Sequence, residues 1–286
     1  MRSNSRTVVG IDEAGYGPML GPLVLGISVF RVSGDGGALS ADLPVAVDDS
    51  KKLYSRATGL GRLEESVGAF REVAADADVP DDPGERPPWG LPADAVTPAS
   101  RLAGELRDVL AESGVEVLRL ATKTVPVRAF NAGVERTDSK AAVLFDAAMD
   151  LLAPWFDAEG PVSVVIDRHG GRKFYSGPLA GRFPERFHWV ETEEKERSSY
   201  VFPAEDLRLS FEVAADARHR PVALASMAAK YVRERWMEAF NRWFAARDAD
   251  LPPTAGYVTD ARRWLADSAG LRARLGVSDD ALVRVR

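Results

Sequence analysis

The sequence predicts a mixed α/β fold in which one sheet is flanked by helices. Two apolar segments rich in β-branched residues, 7–13 and 20–31, are separated only by a turn-like AGYGPM segment, so they predict a hairpin. Later strand-like and amphipathic helical segments do not follow the strict order of a doubly wound parallel sheet. A chain of 286 residues can bury one large core, and we expect a single catalytic domain over 1–286.

Composition narrows the class of protein. Hydrophobic residues make up 45% of the chain and charged residues 28%, which is typical of a globular protein. No apolar run reaches the roughly 18 residues of a membrane span, and the N-terminus does not resemble a signal peptide, so we expect a cytoplasmic protein without membrane association. The absence of cysteine excludes disulfides, thiolate metal sites and cysteine nucleophiles. The net charge of −6 still permits a local basic groove for nucleic acid.

The first half of the chain continues with a helix and an irregular segment. Apolar residues at helical spacing predict a helix from about 52 to 77, capped by Asp49 or Ser50. Six prolines within 80–98 exclude regular structure there and predict a surface insertion. A helix at about 99–113 and a strand at 115–121 follow.

The second half alternates helices and strands. The predicted elements are a helix at 139–154 capped by Asp138, a strand at 161–167, two or three strands within 185–213, a helix at 221–246 and a helical C-terminal extension over 250–286. Trp236, Phe240, Trp243 and Phe244 recur at helical spacing, which favours core packing over base stacking.

Acidic residues stand at the ends of three elements that a sheet could bring together. Asp12 and Glu13 end the first strand, Asp167 ends the strand at 161–167, and Asp216 precedes the helix at 221–246. A single Asp at a strand end is more often a turn residue, but an acidic pair after a buried strand is costly without a partner. Four clustered carboxylates need a cation to remain ionised, and oxygen ligands favour Mg²⁺ or Mn²⁺.

Five segments, taken together, resemble ribonuclease HII. They are GIDEAGYGPMLGPLVL at 10–25, DDSKKL at 48–53, VVIDRHG at 164–170, ADARHRPVALASMAAKYVRE at 215–234 and TAGYVTDARRWL at 254–265. The resemblance covers most of the chain in the family's order. It implies a ribonuclease H-like fold, with an endonuclease that uses two Mg²⁺ or Mn²⁺ ions to cleave RNA in RNA–DNA hybrids or at ribonucleotides embedded in DNA.

The resemblance also implies roles for individual residues. Asp12, Glu13, Asp167 and Asp216 would be the catalytic, metal-binding acids. The turn Gly15, Tyr16 and Gly17 would bind substrate, with its backbone contacting the ribonucleotide 2′-hydroxyl. Tyr257 would pack against the sugar. The phosphate contacts would be Lys51, Lys52 and Lys230.

The chain departs from the family pattern in three places. Tyr16 stands where the family usually has arginine or lysine, so a phosphate contact would be lost there. The proline-rich segment 80–98 and a hairpin at 189–212 resemble insertions. The hairpin tip is acidic (Glu191, Glu193, Glu194 and Glu196), so we expect it to point away from nucleic acid or to bind a partner, and the sequence identifies no protein partner.

Two alternatives therefore remain beside a ribonuclease. One keeps the fold and metals but acts on structured or all-DNA substrates, as Tyr16 and the insertions would allow. The other is a non-catalytic nucleic-acid-binding protein, against which the four retained acids argue. His169, two residues after Asp167, is interpreted as a polar loop residue or a proton shuttle.

Overall fold

A computed structural model describes residues 5–34, 42–55, 57–84 and 86–285. The described residues form one mixed sheet with helices on both faces, as the sequence predicts. The strands in chain order are β1 (Ser5–Ala14), β2 (Leu23–Ser33), β3 (Asp76–Asp78), β4 (Val115–Val125), β5 (Val162–Asp167), β6 (Trp189–Glu193), β7 (Arg197–Phe202) and β8 (Leu207–Glu212). The helices are α1 (Ser50–Leu53), α2 (Gly61–Val73), α3 (Ala103–Glu112), α4 (Val127–Thr137), α5 (Lys140–Leu152), α6 (Ser176–Arg182), α7 (Arg220–Ala245), α8 (Val258–Asp267) and α9 (Ala269–Leu275).

The sheet has the strand order β3-β4-β2-β1-β5-β8-β7-β6. Strands β1 and β2 pair antiparallel, with Asp12 opposite Gly26, so the predicted hairpin is confirmed. Strands β1, β5 and β8 run parallel to one another at the centre. Because parallel strands end at the same edge, the carboxyl ends of β1 and β5 are neighbours there.

Helices cover the two faces of the sheet with separate apolar layers. On one face, α4 and α5 bury side chains such as Phe130 and Met149 against β1, β2 and β5. On the other face, α2, α3 and α7 pack over β2 and β4. The long helix α7 approaches the strands closely, since a Cβ at Gly26 would lie 2.1 Å from the Ala225 carbonyl oxygen.

The C-terminal helices pack on the end of α7. Trp236, Phe240 and Phe244 are buried there with Trp264 of α8, and the predicted core role of the aromatic positions on α7 is confirmed. Trp243 is partly buried against the same cluster. The described residues of 80–98 contain no helix or strand, as their prolines predict, but Trp89 is buried in this cluster.

Two helix predictions are wrong. The segment predicted as one helix from 52 to 77 contains α1, α2 and then β3, with Gly59 at φ +67° in the connection, which a right-handed helix does not allow. Asp49 does cap α1, and its side chain accepts a hydrogen bond from the Lys51 amide. The cap predicted at Asp138 is also wrong, because Asp138 has φ 52° and ends α4, whereas Ser139 caps α5. Helix α4 itself was not predicted from the sequence.

The strand predicted at 20–31 and the hairpin predicted at 189–212 also differ from the elements in the structure. Leu20 makes only an isolated bridge to Val283, and β2 begins at Leu23 after the Gly21-Pro22 turn. Three strands, β6 to β8, extend the central sheet, because β8 pairs with β5. Their acidic β6–β7 turn lies at the edge of the sheet where β5 ends, since its carbonyl oxygens at Glu194 and Lys195 accept hydrogen bonds from Arg168, the neighbour of Asp167.

Candidate metal-binding active site

Three of the four predicted acids meet at the edge where β1 and β5 end. Asp12, Glu13 and Asp167 each place a carboxylate oxygen within 4.8 Å of the other two. Parallel pairing explains the convergence, because Ile11 is opposite Ile166 and the next residues on both strands are acids. Such a set of hard oxygen donors fits a divalent cation such as Mg²⁺ or Mn²⁺.

Burial and mutual repulsion disfavour ionisation of all three carboxyls together. Burial, followed by the charges of Glu13 and Asp167, raises the pKa of Asp12 well above its usual value. Burial and then the charge of Asp167 raise the pKa of Glu13 to about 8. Burial also raises the pKa of Asp167 to about 6. A bound cation would reverse these shifts, so the pKa values support the same conclusion as the donor chemistry.

Hydrogen bonds fix the orientation of two of these carboxylates. The Glu13 amide donates to Asp12 at 2.7 Å, and the nearby Ser226 side chain on α7 acts to lower the pKa of Asp12. The Ala215 amide donates to Asp167 Oδ1 at 2.7 Å, from a turn in which Ala214 has φ 50°.

Asp216 lies beside this cluster rather than within it. It sits in the short 3-10 turn Ala215–Ala217, and its charge acts to raise the pKa of Asp167. Glu212 contacts the two residues that follow this turn, with its carboxylate 3.3 Å from Arg218 and 3.0 Å from His219. The structure therefore does not bring Asp216 into the triad.

The glycine turn follows Glu13 directly. Gly15 has φ +90°, and a Cβ there would lie 2.6 Å from Arg233 Nε, so glycine is required by the protein itself. A Cβ at Gly17 would meet no described atom within 4 Å, and Gly17 is exposed. Tyr16 is partly buried, and Lys140 Nζ lies 5.2 Å from the centroid of its ring.

The three lysines predicted to contact phosphate have different surroundings. Lys51 is exposed, and its charge acts to lower the pKa of both Glu13 and Asp167, which places it beside the triad. Lys52 is exposed and pairs with Asp48 at 2.9 Å. Lys230 is largely buried and pairs with Glu234 at 2.7 Å, so an existing ion pair competes with a phosphate contact.

Tyr257 lies on the same side of the molecule as the glycine turn. It is 52% exposed, and Arg233, which contacts Gly15, lies 5.7 Å from its ring centroid. The Gly256 carbonyl accepts hydrogen bonds from the amides of Met19 and Leu20, which joins the two segments.

Some residues around the site were missed or misread. Ser226 is not among the predicted site residues, although a lone hydroxyl on an apolar helix face is a usable signal; its oxygen lies 3.3 Å from that of Ser50. His169 lies in the loop after β5, as predicted, but its imidazole is buried among Phe145, Tyr175 and Phe211. Burial lowers the pKa of His169 to about 3, so it is neutral at pH 7.

Comparisons with known proteins identify the fold. The sequence matches no protein-family model and no curated protein sequence. The structure of the PCNA:RNase HII complex from Archaeoglobus fulgidus is similar, with a TM-score of 0.50 and 20% identity over 98% of this chain and 94% of that chain.

Two further structures are more distant. Ribonuclease H2 from Pyrococcus horikoshii OT3 has a TM-score of 0.44 and 18% identity, covering 96% of this chain and 92% of that one. A mutant of Bst-RNase HIII has a TM-score of 0.49 and 18% identity, covering 99% of this chain and 67% of that one. The mixed sheet, its flanking helices and the similarity to the archaeal ribonuclease HII complex together assign this chain the ribonuclease H-like fold.

Proposed function

We propose that this protein is a metal-dependent endoribonuclease that cleaves RNA in RNA–DNA hybrids or at ribonucleotides embedded in DNA. The observation that carries the proposal is the triad Asp12, Glu13 and Asp167, whose oxygens lie within 4.8 Å of one another beside a glycine turn. The similar fold of the ribonuclease HII complex supports it. No helix among the described residues is both long and apolar enough to cross a membrane. As a separate part of the proposal, the enzyme acts in the cytoplasm.

The chain supplies the ligands and their orientation. Bound Mg²⁺ or Mn²⁺, two ions by this proposal, would activate water and neutralise charge on the phosphodiester. Asp12, Glu13 and Asp167 would hold one ion, and Asp216 would contribute to the second. The Glu13 and Ala215 amides keep two of the carboxylates, Asp12 and Asp167, in fixed orientations, so little rearrangement is needed when a cation binds.

The glycine turn and Tyr257 would select a ribonucleotide. The exposed backbone at Gly17 allows close approach, so its polar groups can bond the 2′-hydroxyl that distinguishes RNA from DNA. Tyr257, exposed beside Arg233, offers a flat surface for the neighbouring sugar. Lys51, beside the triad, is the best placed of the predicted lysines to contact a phosphate.

One observation favours a second candidate, a nuclease of the same fold that acts on structured DNA. Tyr16 occupies the turn where ribonuclease HII usually has a basic residue, and its ring is partly buried. An aromatic residue in this position can contact a base or sugar of either nucleic acid, so Tyr16 does not itself require RNA.

A cleavage assay separates the candidates. Three proteins are incubated with Mg²⁺ or Mn²⁺ and four substrates. The proteins are the wild type, Asp12→Asn and the control Asp157→Asn, which changes an exposed acid paired with Arg186. The substrates are a DNA duplex with one ribonucleotide, an RNA–DNA hybrid, an all-DNA duplex and a DNA junction.

We expect wild type and the control to cut only at ribonucleotides, and Asp12→Asn to lose on the order of a thousandfold in rate, since metal-ion catalysis contributes several kcal/mol. Cutting of all-DNA substrates would favour the second candidate. No cutting by wild type would reject both enzymes and leave a nucleic-acid-binding protein.

A further inference from the structure

A cleft of about 200 Å³ opens beside the glycine turn. The turn residues 16–19 form one wall, and Phe130, Lys140 and Arg284 form much of the rest. Lys140 and Arg284 are both cationic, and the cleft has no acidic lining residue among the residues that the structure describes. The cleft is therefore a local positive site on a chain whose net charge is −6.

The C-terminal segment is held firmly, and this fixes Arg284. The Arg284 amide donates to the Met19 carbonyl at 2.9 Å, and Val283 bridges to Leu20. Asn131 of α4 bonds both neighbours of Arg284, donating to the Val283 carbonyl at 2.9 Å and accepting from the Val285 amide at 2.9 Å.

The guanidinium of Arg284 is buried with unused hydrogen-bonding capacity. Its side chain lies 4.8 Å from the centroid of Phe130, and the residue is 3% exposed. One terminal nitrogen donates to the carbonyls of Gly15 and Pro18. Among the described residues, neither Nε nor the other terminal nitrogen has an acceptor.

This arrangement is costly without an anion. A buried cation needs a paired charge and acceptors for its N–H groups, whereas among the described residues the printed acceptors of the Arg284 guanidinium are the neutral carbonyls of Gly15 and Pro18. Burial, and then the charge of Arg233, lower the pKa of Arg284 to about 9, so the group is still protonated at pH 7.

Lys140 also lines this cleft. It is the first residue of α5, where the helix dipole disfavours a positive charge. Its Nζ lies over the Tyr16 ring at the mouth of the same cleft. Two cations thus face one cleft beside the turn that follows Glu13, where a nucleic-acid strand would pass.

We propose that this cleft binds one backbone phosphate of the nucleic-acid strand that crosses the glycine turn, through Lys140 and Arg284. The site supplies the charge that Tyr16 does not. A phosphate fits because it is an anion with several acceptor oxygens for the free N–H groups of Arg284. The inference rests on the proposed function for the identity of the strand, and the binding chemistry does not depend on cleavage.

The test uses chemical neutralisation of single phosphates. Duplexes with one ribonucleotide carry one methylphosphonate, a neutral replacement, at successive positions around it. Binding is measured by fluorescence anisotropy in an Asp12→Asn background, so that the duplex is not cut. The comparison is between this parent, Lys140→Gln and the control Arg31→Gln, which removes a charge paired with Glu116 at the opposite end of β2.

We expect one position at which the methylphosphonate weakens binding of the parent and of the control by about tenfold. In Lys140→Gln the same replacement should change affinity by less than twofold, and the slope of log affinity against log salt should decrease by about 1. Lys140 is partly exposed, and glutamine is a good helix former, so this variant should fold.

The outcomes separate the two proposals. If every methylphosphonate effect in the parent persists undiminished in Lys140→Gln, the phosphate site is wrong, whatever the cleavage assay gives. If the effect at one position disappears but wild type cuts none of these duplexes with Mg²⁺ or Mn²⁺, the phosphate site stands and the proposed nuclease function fails. Absence of any binding by the parent would reject the phosphate site directly.

Discussion

At the scale of single residues, the buried carboxyls of the triad lower the stability of the metal-free protein, and together they form a candidate site for a cation. Asp12, Glu13 and Asp167 all have raised pKa values, chiefly because they are buried. Removing the last protons from this cluster costs free energy in the metal-free protein, and a bound cation recovers it. The same residues would therefore weaken the metal-free fold and strengthen a metal-bound one.

The raised pKa of Glu13 can be tested through the pH dependence of the stability of the metal-free protein. The pKa of Glu13 is about 8 in the folded protein against an ordinary 4.5, so between pH 4.5 and 8 the folded state retains a proton that the unfolded state has lost. Stability of the metal-free protein should thus fall as pH rises through this window. Thermal unfolding from pH 5 to 8 should show a smaller fall for Glu13→Gln than for wild type. The control Glu116→Gln, at an exposed ion pair, should follow wild type; parallel curves for all three would contradict the assignment.

The two glycines of the turn allow a second residue-level prediction. Gly15→Ala should destabilise the protein by about 1–3 kcal/mol, because Gly15 has φ +90° and a Cβ would collide with Arg233. Gly17→Ala should leave stability within about 0.5 kcal/mol, because its Cβ would occupy open space. If the Gly17 backbone contacts substrate, Gly17→Ala should nevertheless raise KM. Urea unfolding and steady-state cleavage measure the two effects, and an unchanged KM would remove Gly17 from the substrate contacts.

At the scale of elements, helix α7 connects the site to the sheet. It carries Ser226 to Asp12 and lies so close to β1 and β2 that Gly10 and Gly26 contact its backbone. Side chains at these positions would move the helix and so move Ser226. The close contact at Gly26 thus sets the position of α7 against the sheet and, through α7, the position of Ser226.

Paired glycine substitutions test this helix contact. Gly26→Ala places a Cβ 2.1 Å from the Ala225 carbonyl oxygen, so it should cost about 1–3 kcal/mol and reduce cleavage. Gly104→Ala, in α3 with no described atom within 4 Å of its Cβ, should instead stabilise the protein by up to about 1 kcal/mol without affecting cleavage. Urea denaturation distinguishes the two, and equal effects would show that α7 tolerates displacement.

At the scale of the whole molecule, binding of metal should couple stability to pH. Mg²⁺ or Mn²⁺ at about 100 times its dissociation constant should stabilise the fold by about 2.7 kcal/mol. The gain should be larger at pH 8 than at pH 6, because protons compete for Glu13 and its neighbours at the lower pH. Calorimetric melting with and without metal and chelator measures this difference. A metal effect that is equal at both pH values, or absent from wild type but present in Glu13→Gln, would contradict a site at the triad.

The sequence alone determined the parts of this protein that depend on local pattern. The acidic ends of β1 and β5, the β1–β2 hairpin, the glycine turn and the long helix α7 could all be predicted, because alternation, helical spacing and turn residues act over short segments. The predicted meeting of Asp12 and Glu13 with Asp167 also followed from strand ends at one edge.

Only the tertiary structure decided what depends on packing between distant residues. It divided the predicted helix at 52–77 into α1, α2 and β3, since β3 pairs with β4, and it kept Asp216 outside the triad. It brought Arg284 to Gly15 across 269 positions and placed Lys140 in the same cleft. No local pattern encodes such contacts, because they arise when elements far apart in the chain pack together to bury their apolar faces.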